Sequence, residues 1–349
     1  MTPDRRAVRR GLALLGLLGL LAVACGAGDD REASRGGGPD GGDGTTTTAP
    51  PLAPLTGALL PDDALRNRPA LVVKIDNTNK ALGRQAGLNA ADVVYVEQVE
   101  GGATRLAAVF QSTDADPVGP VRSARTTDVD LTANLNRPLL AFSGANQGVL
   151  GIVRGANLVD VGVDVQPGAY HERGRGVLRF FVATAALYGL APPGAGPPPP
   201  LFTYRPGGEP VTAAGAEGTA GVRIEYGGIV NPTMTYEPVP EGWARTQDGT
   251  AHADAGGARV TPANVVIQFV DYRSSGFVDT VGAVSPEAVL VGEGEAWVLT
   301  GGKLVRGRWS RPDPGGPTSL VDGAGQTIGL TPGRTWVELA PPGSAGPLQ

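Results

Sequence analysis

The chain of 349 residues contains one cysteine, two histidines and two methionines, and aromatic residues make up only 5% of it. Because Cys25 stands alone, the sequence excludes an internal disulfide and a metal site built from several cysteines. His171 and His252 lie far apart in the chain, and no group of residues has the spacing of metal ligands. We therefore expect neither a bound metal nor a cofactor.

Catalytic signatures are also missing. The sequence has no Gly-x-Ser-x-Gly elbow, no Ser-x-x-Lys pair, no P-loop and no Gly-rich dinucleotide loop before a helix. Residues 1–24 hold four arginines and one aspartate, so the rest of the chain has 25 basic and 33 acidic residues, a net charge of −8. An acidic chain without a basic tract is a poor candidate for binding nucleic acid. A non-catalytic role is favoured.

The N-terminus has the features of an export signal. Four arginines between residues 5 and 10 precede an apolar run over residues 11–24, and small residues lie next to Cys25. The run is shorter than the roughly 20 residues of a membrane-spanning helix. Two processing routes remain open. Lipidation of Cys25 predicts a protein anchored on the outer face of the cytoplasmic membrane, whereas ordinary cleavage after Ala24 predicts a secreted one.

Composition divides the rest of the chain into five segments. Residues 25–54 are rich in Gly, Thr and Pro with almost nothing apolar, which predicts a disordered tether after the anchor cysteine. A mixed α/β part over 55–190, a Pro/Gly-rich linker or loop over 191–219, a β-rich part over 220–341 and a loose tail over 342–349 follow. We expect an α+β fold with mixed and antiparallel sheets, a helical layer (a ββα sandwich) and a strand-rich second half.

Local patterns predict particular elements within these parts. Helices are expected over residues 123–136, 146–154 and 176–190, with Ser123 as the N-cap of the first. Two-residue hairpin turns are expected at Gly101-Gly102 and at Gly301-Gly302. The second turn pairs Trp297 with Arg306 and Glu295 with Arg308.

The ends of two predicted strands carry candidate binding residues. Asp76 and Asn77 end a buried strand, a position where α/β proteins often contact ligands, although a turn that needs short polar side chains is the alternative. The Gly101-Gly102 hairpin places Arg105 diagonal to Glu100 on one face of the sheet. That pair is compatible with a structural salt bridge or with a ligand site at the end of the sheet.

Arg122 and Arg125 flank Ser123 at the start of a predicted helix. Cations at this position oppose the helix dipole. Free backbone N–H groups and guanidinium forks pointing the same way form a good anion site, which is one interpretation. The other is a structural ion network with nearby acids: Asp128, Asp130, Glu97 or Glu100.

Several longer motifs resemble those of the YerB-like lipoprotein family of bacteria. They include RPALVVKIDN at 68–77, EGGATR at 100–105 and GPVRSAR at 119–125 in the first half, and GRW at 307–309 and PGRTWVE at 332–338 in the second. The resemblance implies a two-part fold with stacked sheets and a helical layer, and a molecular function that is unassigned. Relatives often carry a Pro-His-Asn-like stretch where this chain has residues 177–181, so any role of that stretch is changed or lost here.

Three functions remain in competition. The first is a lipid-anchored, non-catalytic binding or regulatory protein that recognises an anionic wall component or an envelope protein. The second is an enzyme of wall polymers with Glu97, Glu100 or Asp76 as acid or base. The third is a structural scaffold of the envelope, which predicts no ligand at all.

Overall fold

Residues 51–60 and 62–349 are described by the computed structural model of the chain. The predicted signal peptide, Cys25 and the predicted tether up to residue 50 lie outside the described residues. These described residues form one compact unit. No helix in the described part is long and apolar enough to cross a membrane.

Short strands dominate the described chain. In chain order they are β1 (Leu71–Asp76), β2 (Val93–Gln98), β3 (Thr104–Phe110), β4 (Leu139–Ala141), β5 (Val159–Asp160), β6 (Tyr170–Glu172), β7 (Phe180–Val182), β8 (Glu217–Gly218), β9 (Val222–Glu225), β10 (Thr233–Val239), β11 (Gly242–Gln247), β12 (Thr250–Ala251), β13 (Asn264–Phe269), β14 (Tyr272–Val278), β15 (Val284–Ala288), β16 (Gly292–Thr300), β17 (Lys303–Arg311), β18 (Ser319–Asp322), β19 (Thr335–Ala340) and β20 (Ala345–Pro347). The α-helices are α1 (Thr127–Thr132), α2 (Gln147–Gly155) and α3 (Thr184–Tyr188).

One large mixed sheet contains strands from both halves of the chain. Its order is β18-β17-β16-β13-β19-β2-β3-β1-β4-β5, with β8 added to β17. Strand β19, from the end of the chain, runs parallel to β13 on one side and to β2 on the other. Every residue of β1, β13 and β19 is buried, as expected for strands that are covered on both faces.

The two faces of the large sheet have different coverings. A five-stranded sheet of order β12-β11-β10-β9-β20 packs on one face through Ile224, Tyr236 and Trp243. Helices α1 and α2 pack on the other, through Leu131 and Val153. This layered arrangement confirms the predicted α+β fold with its helical layer and its strand-rich second half.

A polar network is buried between the two sheets. Arg245 on β11 donates from Nε to the Tyr236 hydroxyl at 3.0 Å, and this Nε lies 3.7 Å from Glu338 Oε1. Glu338 Oε2 accepts from the Tyr226 hydroxyl at 2.6 Å. Arg245 Nη1 lies 2.6 Å from His252 Nδ1, so the neutral ring accepts there. Burial, aided by the charge of Arg245, holds the pKa of His252 well below its usual value.

The two predicted hairpins have different outcomes. At Gly301-Gly302, Thr300 pairs with Lys303, and the predicted cross-strand pairs at Trp297 and Glu295 are confirmed. The prediction at Gly101-Gly102 is wrong, because the register aligns Gln98 with Thr104 and leaves residues 99–103 as a loop with a 3-10 turn. Gly102 has φ 82°, and a Cβ there would collide with the carbonyl oxygen of Gly227.

The helix predictions need two corrections. Residues 146–154 are confirmed as α2, where Asn146 Oδ1 accepts from the Gly148 amide at 2.9 Å as the N-cap. The first predicted helix contracts to α1, and Ser123 lies in the irregular loop before it rather than at an N-cap. The third divides into a 3-10 turn, β7 and α3, because the apolar residues of β7 pair with β6.

The segments predicted as linker and tail also belong to the folded body. Leu201 and Phe202 are buried in the core on the helical side, and β8 extends the large sheet. The expectation of a loose tail is wrong for Ala345–Pro347, because this segment pairs with β9 at the edge of the smaller sheet.

Candidate functional site

The candidate residues gather around the C-terminal end of β1. Arg105 on β3 is aligned with Asp76 on β1 and with Glu97 on β2. Directly opposed residues of antiparallel strands point to the same face of the sheet. The three side chains therefore lie in a row on the face that carries the helices.

The loop before α1 brings its two arginines to this row. The Arg122 amide donates to the Lys74 carbonyl at 2.8 Å, and the Asp76 amide donates to the Pro120 carbonyl at 3.0 Å. This alignment fixes the backbone of Arg122 beside β1, and Arg122 Nε lies 2.6 Å from Asp76 Oδ2. An extended loop, rather than a helix N-terminus, presents the arginines.

A fully buried ion group lies behind the loop. Lys74 Nζ donates to a carboxylate oxygen of Glu97 and, at 2.6 Å, to Asp128 Oδ1. The second oxygen of Asp128 accepts from the Arg125 amide at 2.8 Å. Burial raises the pKa of Glu97 even though Lys74 opposes it. Lys74 was not among the sequence candidates, and a lysine inside the apolar strand LVVKI was the signal that could have found it.

Glu100 has a different partner from the one expected. It pairs with Arg125, with Glu100 Oε2 2.6 Å from Nη2, and its other oxygen accepts from the Ser285 hydroxyl on β15. The predicted salt bridge to Arg105 is therefore wrong. Burial raises the pKa of Glu100, but the bonds from Arg125 and Ser285 outweigh it and keep the pKa below its usual value.

Arg105 forms no ion pair with a carboxylate of the described residues. Its side chain is buried, its Nη1 donates to the Ser123 carbonyl at 3.3 Å, and its Nε has no hydrogen-bond partner among the described residues. Burial lowers the pKa of Arg105, and the charges of Arg125 and Arg122 add to this, although a guanidinium stays protonated in proteins. We call Arg105, Arg122 and Arg125 the arginine triad.

The carboxylates around the triad are unevenly distributed. Lys74 has two of them, Arg122 and Arg125 have one each, and Arg105 has none in the described chain. Of the ion pairs expected for these arginines, the one between Arg125 and Glu100 is present, whereas Asp128 accepts from the Arg125 backbone amide and pairs with Lys74. Four cations and four carboxylates of the described chain therefore balance in number, and Arg105 is the cation of this group that no carboxylate contacts.

A cleft of about 380 Å³ opens beside Arg122. Its lining comes from both halves of the chain: Asp76, Asn77, Thr78, Asn79, Lys80, Ala103, Thr104, Arg122, Val177, Leu178, Val230, Pro232 and Gln247. Asn77 points to the opposite face from Asp76, where its Nδ2 donates to Thr104 Oγ1 at 2.8 Å. Where the family resemblance suggests His and Asn, this cleft has Val177 and Leu178.

The geometry can be set beside known proteins. Residues 55–176 match the N-terminal domain, and residues 222–337 the C-terminal domain, of the family described as "protein of unknown function (DUF3048)". The chain belongs to this YerB-like family, as its motifs predicted.

Two relatives support this assignment. The curated protein "Putative lipoprotein YerB" of Bacillus subtilis (strain 168) is 45% identical over 80 residues, which are 23% of this chain and 24% of that protein. The match thus spans about a quarter of that relative's length. A crystal structure of YerB protein from Bacillus subtilis has a TM-score of 0.72 at 22% identity, over 85% of this chain and 99% of that one. It shares the fold.

The Asp76 carboxylate is expected to give stability that depends on pH. Burial raises its pKa, but bonds from Thr78 and the charge of Arg122 outweigh it, so the pKa lies below its usual value. We expect Asp76→Asn to lose about 1.5–3 kcal/mol of unfolding free energy at pH 7, the range for hydrogen bonds to charged groups. Because the folded pKa is below the unfolded one, this difference is present above about pH 4 and disappears as the pH falls through the folded pKa.

Urea unfolding of both proteins between pH 7 and pH 2.5 measures the difference. Glu293→Gln, at an exposed ion pair with Arg308, is the control and should change little at any pH. If the loss of unfolding free energy in Asp76→Asn stays constant down to pH 2.5, the ionised pair of Asp76 and Arg122 is not its cause.

Proposed function

We propose that this protein is a lipid-anchored, extracytoplasmic binding protein that takes an anionic ligand in the cleft beside Arg122. The observation that carries the proposal is the charge of the cleft lining, in which Arg122 and Lys80 are opposed by one carboxylate, Asp76. The location rests on the signal-like N-terminus and Cys25, and on the printed name of the Bacillus relative. Its partners are then the membrane, through the anchor, and an anionic wall component or an envelope protein.

Arg122 has the geometry to make the first contact. Its Nε is engaged by Asp76, whereas its two terminal nitrogens form no hydrogen bond with the described residues. The side chain is 21% exposed and lines the cleft. Two parallel N–H groups match the oxygens of a carboxylate or a phosphate. Arg105 lies behind and adds attraction in a region of low dielectric.

The competing functions have less support. Each candidate acid of the enzyme hypothesis already has a cation: Arg122 for Asp76, Lys74 for Glu97 and Arg125 for Glu100. Glu97 is also completely buried, out of reach of a polymer. A pure scaffold requires no unpaired cation at a cleft.

A thermal-shift screen of the chain from residue 26 to 349 tests the proposal. The panel contains inorganic phosphate, acetate, muropeptides and teichoic-type phosphates. A ligand at 100 times its Kd should add about 2.7 kcal/mol to the stability, enough to raise the melting temperature visibly. In Arg122→Gln the ligand affinity should fall at least tenfold, because the bidentate donor is lost. The thermal shift at the same ligand concentration should be smaller accordingly.

The matched control is Arg308→Gln, which removes another arginine that is paired to a carboxylate. It should keep the full shift. Equal shifts in both variants, or no shift with any anion, would contradict the anion site and favour the scaffold.

A further inference from the structure

We propose that the ligand of the cleft is an amphipathic anion, with a phosphate or carboxylate head and an alkyl chain. This inference rests on the proposed anion site and names the chemical class of its ligand. It comes from the two unlike parts of the cleft lining, one charged and one apolar.

The charged part carries a net positive charge. Arg122 and Lys80 contribute two cations, and Asp76 is the only carboxylate in the lining. That carboxylate already accepts from Arg122 and from the Thr78 amide and hydroxyl. Lys80 is exposed and makes no ion pair with a described residue. A monovalent head therefore meets an attractive field with two sets of donors.

The other part presents apolar side chains to water. Val177 is 63% exposed and Val230 is 55% exposed, and they come from separate loops that face the same cleft. Leu178 and Pro232 complete this wall. Scattered apolar residues on a surface need no explanation, but apolar walls converging beside a cation pair mark a binding groove.

The wall of the second half is fixed before any ligand arrives. The Val230 amide donates to the Gly101 carbonyl at 3.0 Å, and the Gly227 amide donates to Asn231 Oδ1 at 2.7 Å. Gly102 and Gly228 touch through their backbones, where no Cβ would fit. A wall that is already ordered costs little entropy on binding.

The size of the cleft selects a single small amphiphile. Its volume of about 380 Å³ lies at the low end of the roughly 300–1,000 Å³ of small-molecule sites. A head group and a short stretch of alkyl chain fit in such a space, whereas a bilayer surface would contact only the rim, where Ile229 is 93% exposed.

Calorimetric titration with a series of n-alkyl phosphates tests the inference. The protein is the chain from residue 26 to 349, which lacks the anchor cysteine, so that no acyl chain competes. The ligands are inorganic phosphate and ethyl, butyl, hexyl and octyl phosphate, with 1-octanol as the uncharged probe. We expect Kd to fall by up to about fourfold for each methylene that becomes buried, and then to level off. Octanol should bind more weakly than octyl phosphate by at least tenfold.

Variants separate the two parts of the cleft lining. Val177→Ser with Val230→Ser should flatten the dependence on chain length and leave the Kd of inorganic phosphate unchanged. Val281→Ser, at a valine that is 85% exposed in the β14–β15 turn, is the matched control and should keep the full dependence. Arg122→Gln should weaken every phosphate in the series.

Three results would overturn the inference. Phosphate binding without any effect of chain length refutes the amphipathic ligand but leaves the proposed anion site intact. Failure of every phosphate, and of acetate and octanoate titrated in the same way, to bind refutes both proposals. The third result is that the protein sediments with phosphatidylglycerol vesicles and fails to bind monomeric alkyl phosphates. That result would show contact with a membrane surface through Ile229 in place of a ligand in the cleft.

Discussion

Replacing Lys74 by methionine is expected to lower the free energy of unfolding by about 3–5 kcal/mol. The substitution keeps the apolar stem but removes the one cation of the described residues within hydrogen-bond distance of Glu97, and it leaves Asp128 with the Arg125 amide. All three side chains of the ion group are fully buried. Removing one partner of a buried ion group leaves an uncompensated buried charge. The free-energy cost of that charge is much larger than the net stabilisation that the intact group provides.

Urea or guanidinium unfolding at pH 7 measures this loss. Lys303→Met, at the exposed first residue of β17, is the matched control and should change stability by less than about 0.5 kcal/mol. The triple variant Lys74→Met, Glu97→Gln, Asp128→Asn should recover part of the loss, because it removes the stranded charges. A loss below 1 kcal/mol in the single variant would show that the carboxylates take up protons or water at little cost.

Replacing Arg245 by methionine is expected to cost a similar amount, about 3–5 kcal/mol, on the opposite face of the large sheet. Arg245 is fully buried between the sheets, where it compensates Glu338 and donates to Tyr236 and Gln247. Its guanidinium carbon lies 4.8 Å from the centre of the Trp336 ring. The variant therefore strands a buried carboxylate and loses a cation–π contact.

The chain offers a close control for this variant. Arg223→Met changes an arginine on β9, which belongs to the same sheet as Arg245. Arg223 and its partner Glu225 are both about half exposed. Such a surface pair contributes about 0–1 kcal/mol. Comparable losses for the two variants would mean that burial of the Arg245 network has no energetic consequence.

Much of the fold follows from sequence patterns that act locally. The turn at Gly301-Gly302 fixed the register of β16 and β17, because a two-residue turn permits a single alignment. The α2 helix was predictable from Asn146 as its cap and from its apolar stripe. The central position of β19 was not predictable, since nothing local tells a parallel strand which neighbours it will have.

The candidate site was predictable in its residues but not in its pairings. The seven candidates Asp76, Asn77, Glu100, Arg105, Arg122, Ser123 and Arg125 do lie near one end of β1, with Asn77 turned to the other face. The partners differ because residues 99–103 form a longer loop than Gly101-Gly102 suggested, which turns Glu100 towards Arg125. The apolar wall at Val230 comes from the second half, which no spacing in the first half indicates.

The place of β19 has a consequence for how the protein is made. Residues 335–340 fill the gap between β2 and β13, so both of these strands have an open edge until nearly the whole chain has emerged. The emerging chain must therefore keep its first half from pairing with neighbours while roughly 200 further residues arrive, since open strand edges favour aggregation. Final closure of the sheet joins residues far apart in sequence, which predicts slow folding. Correct folding of this protein thus depends on protection of an unfinished sheet.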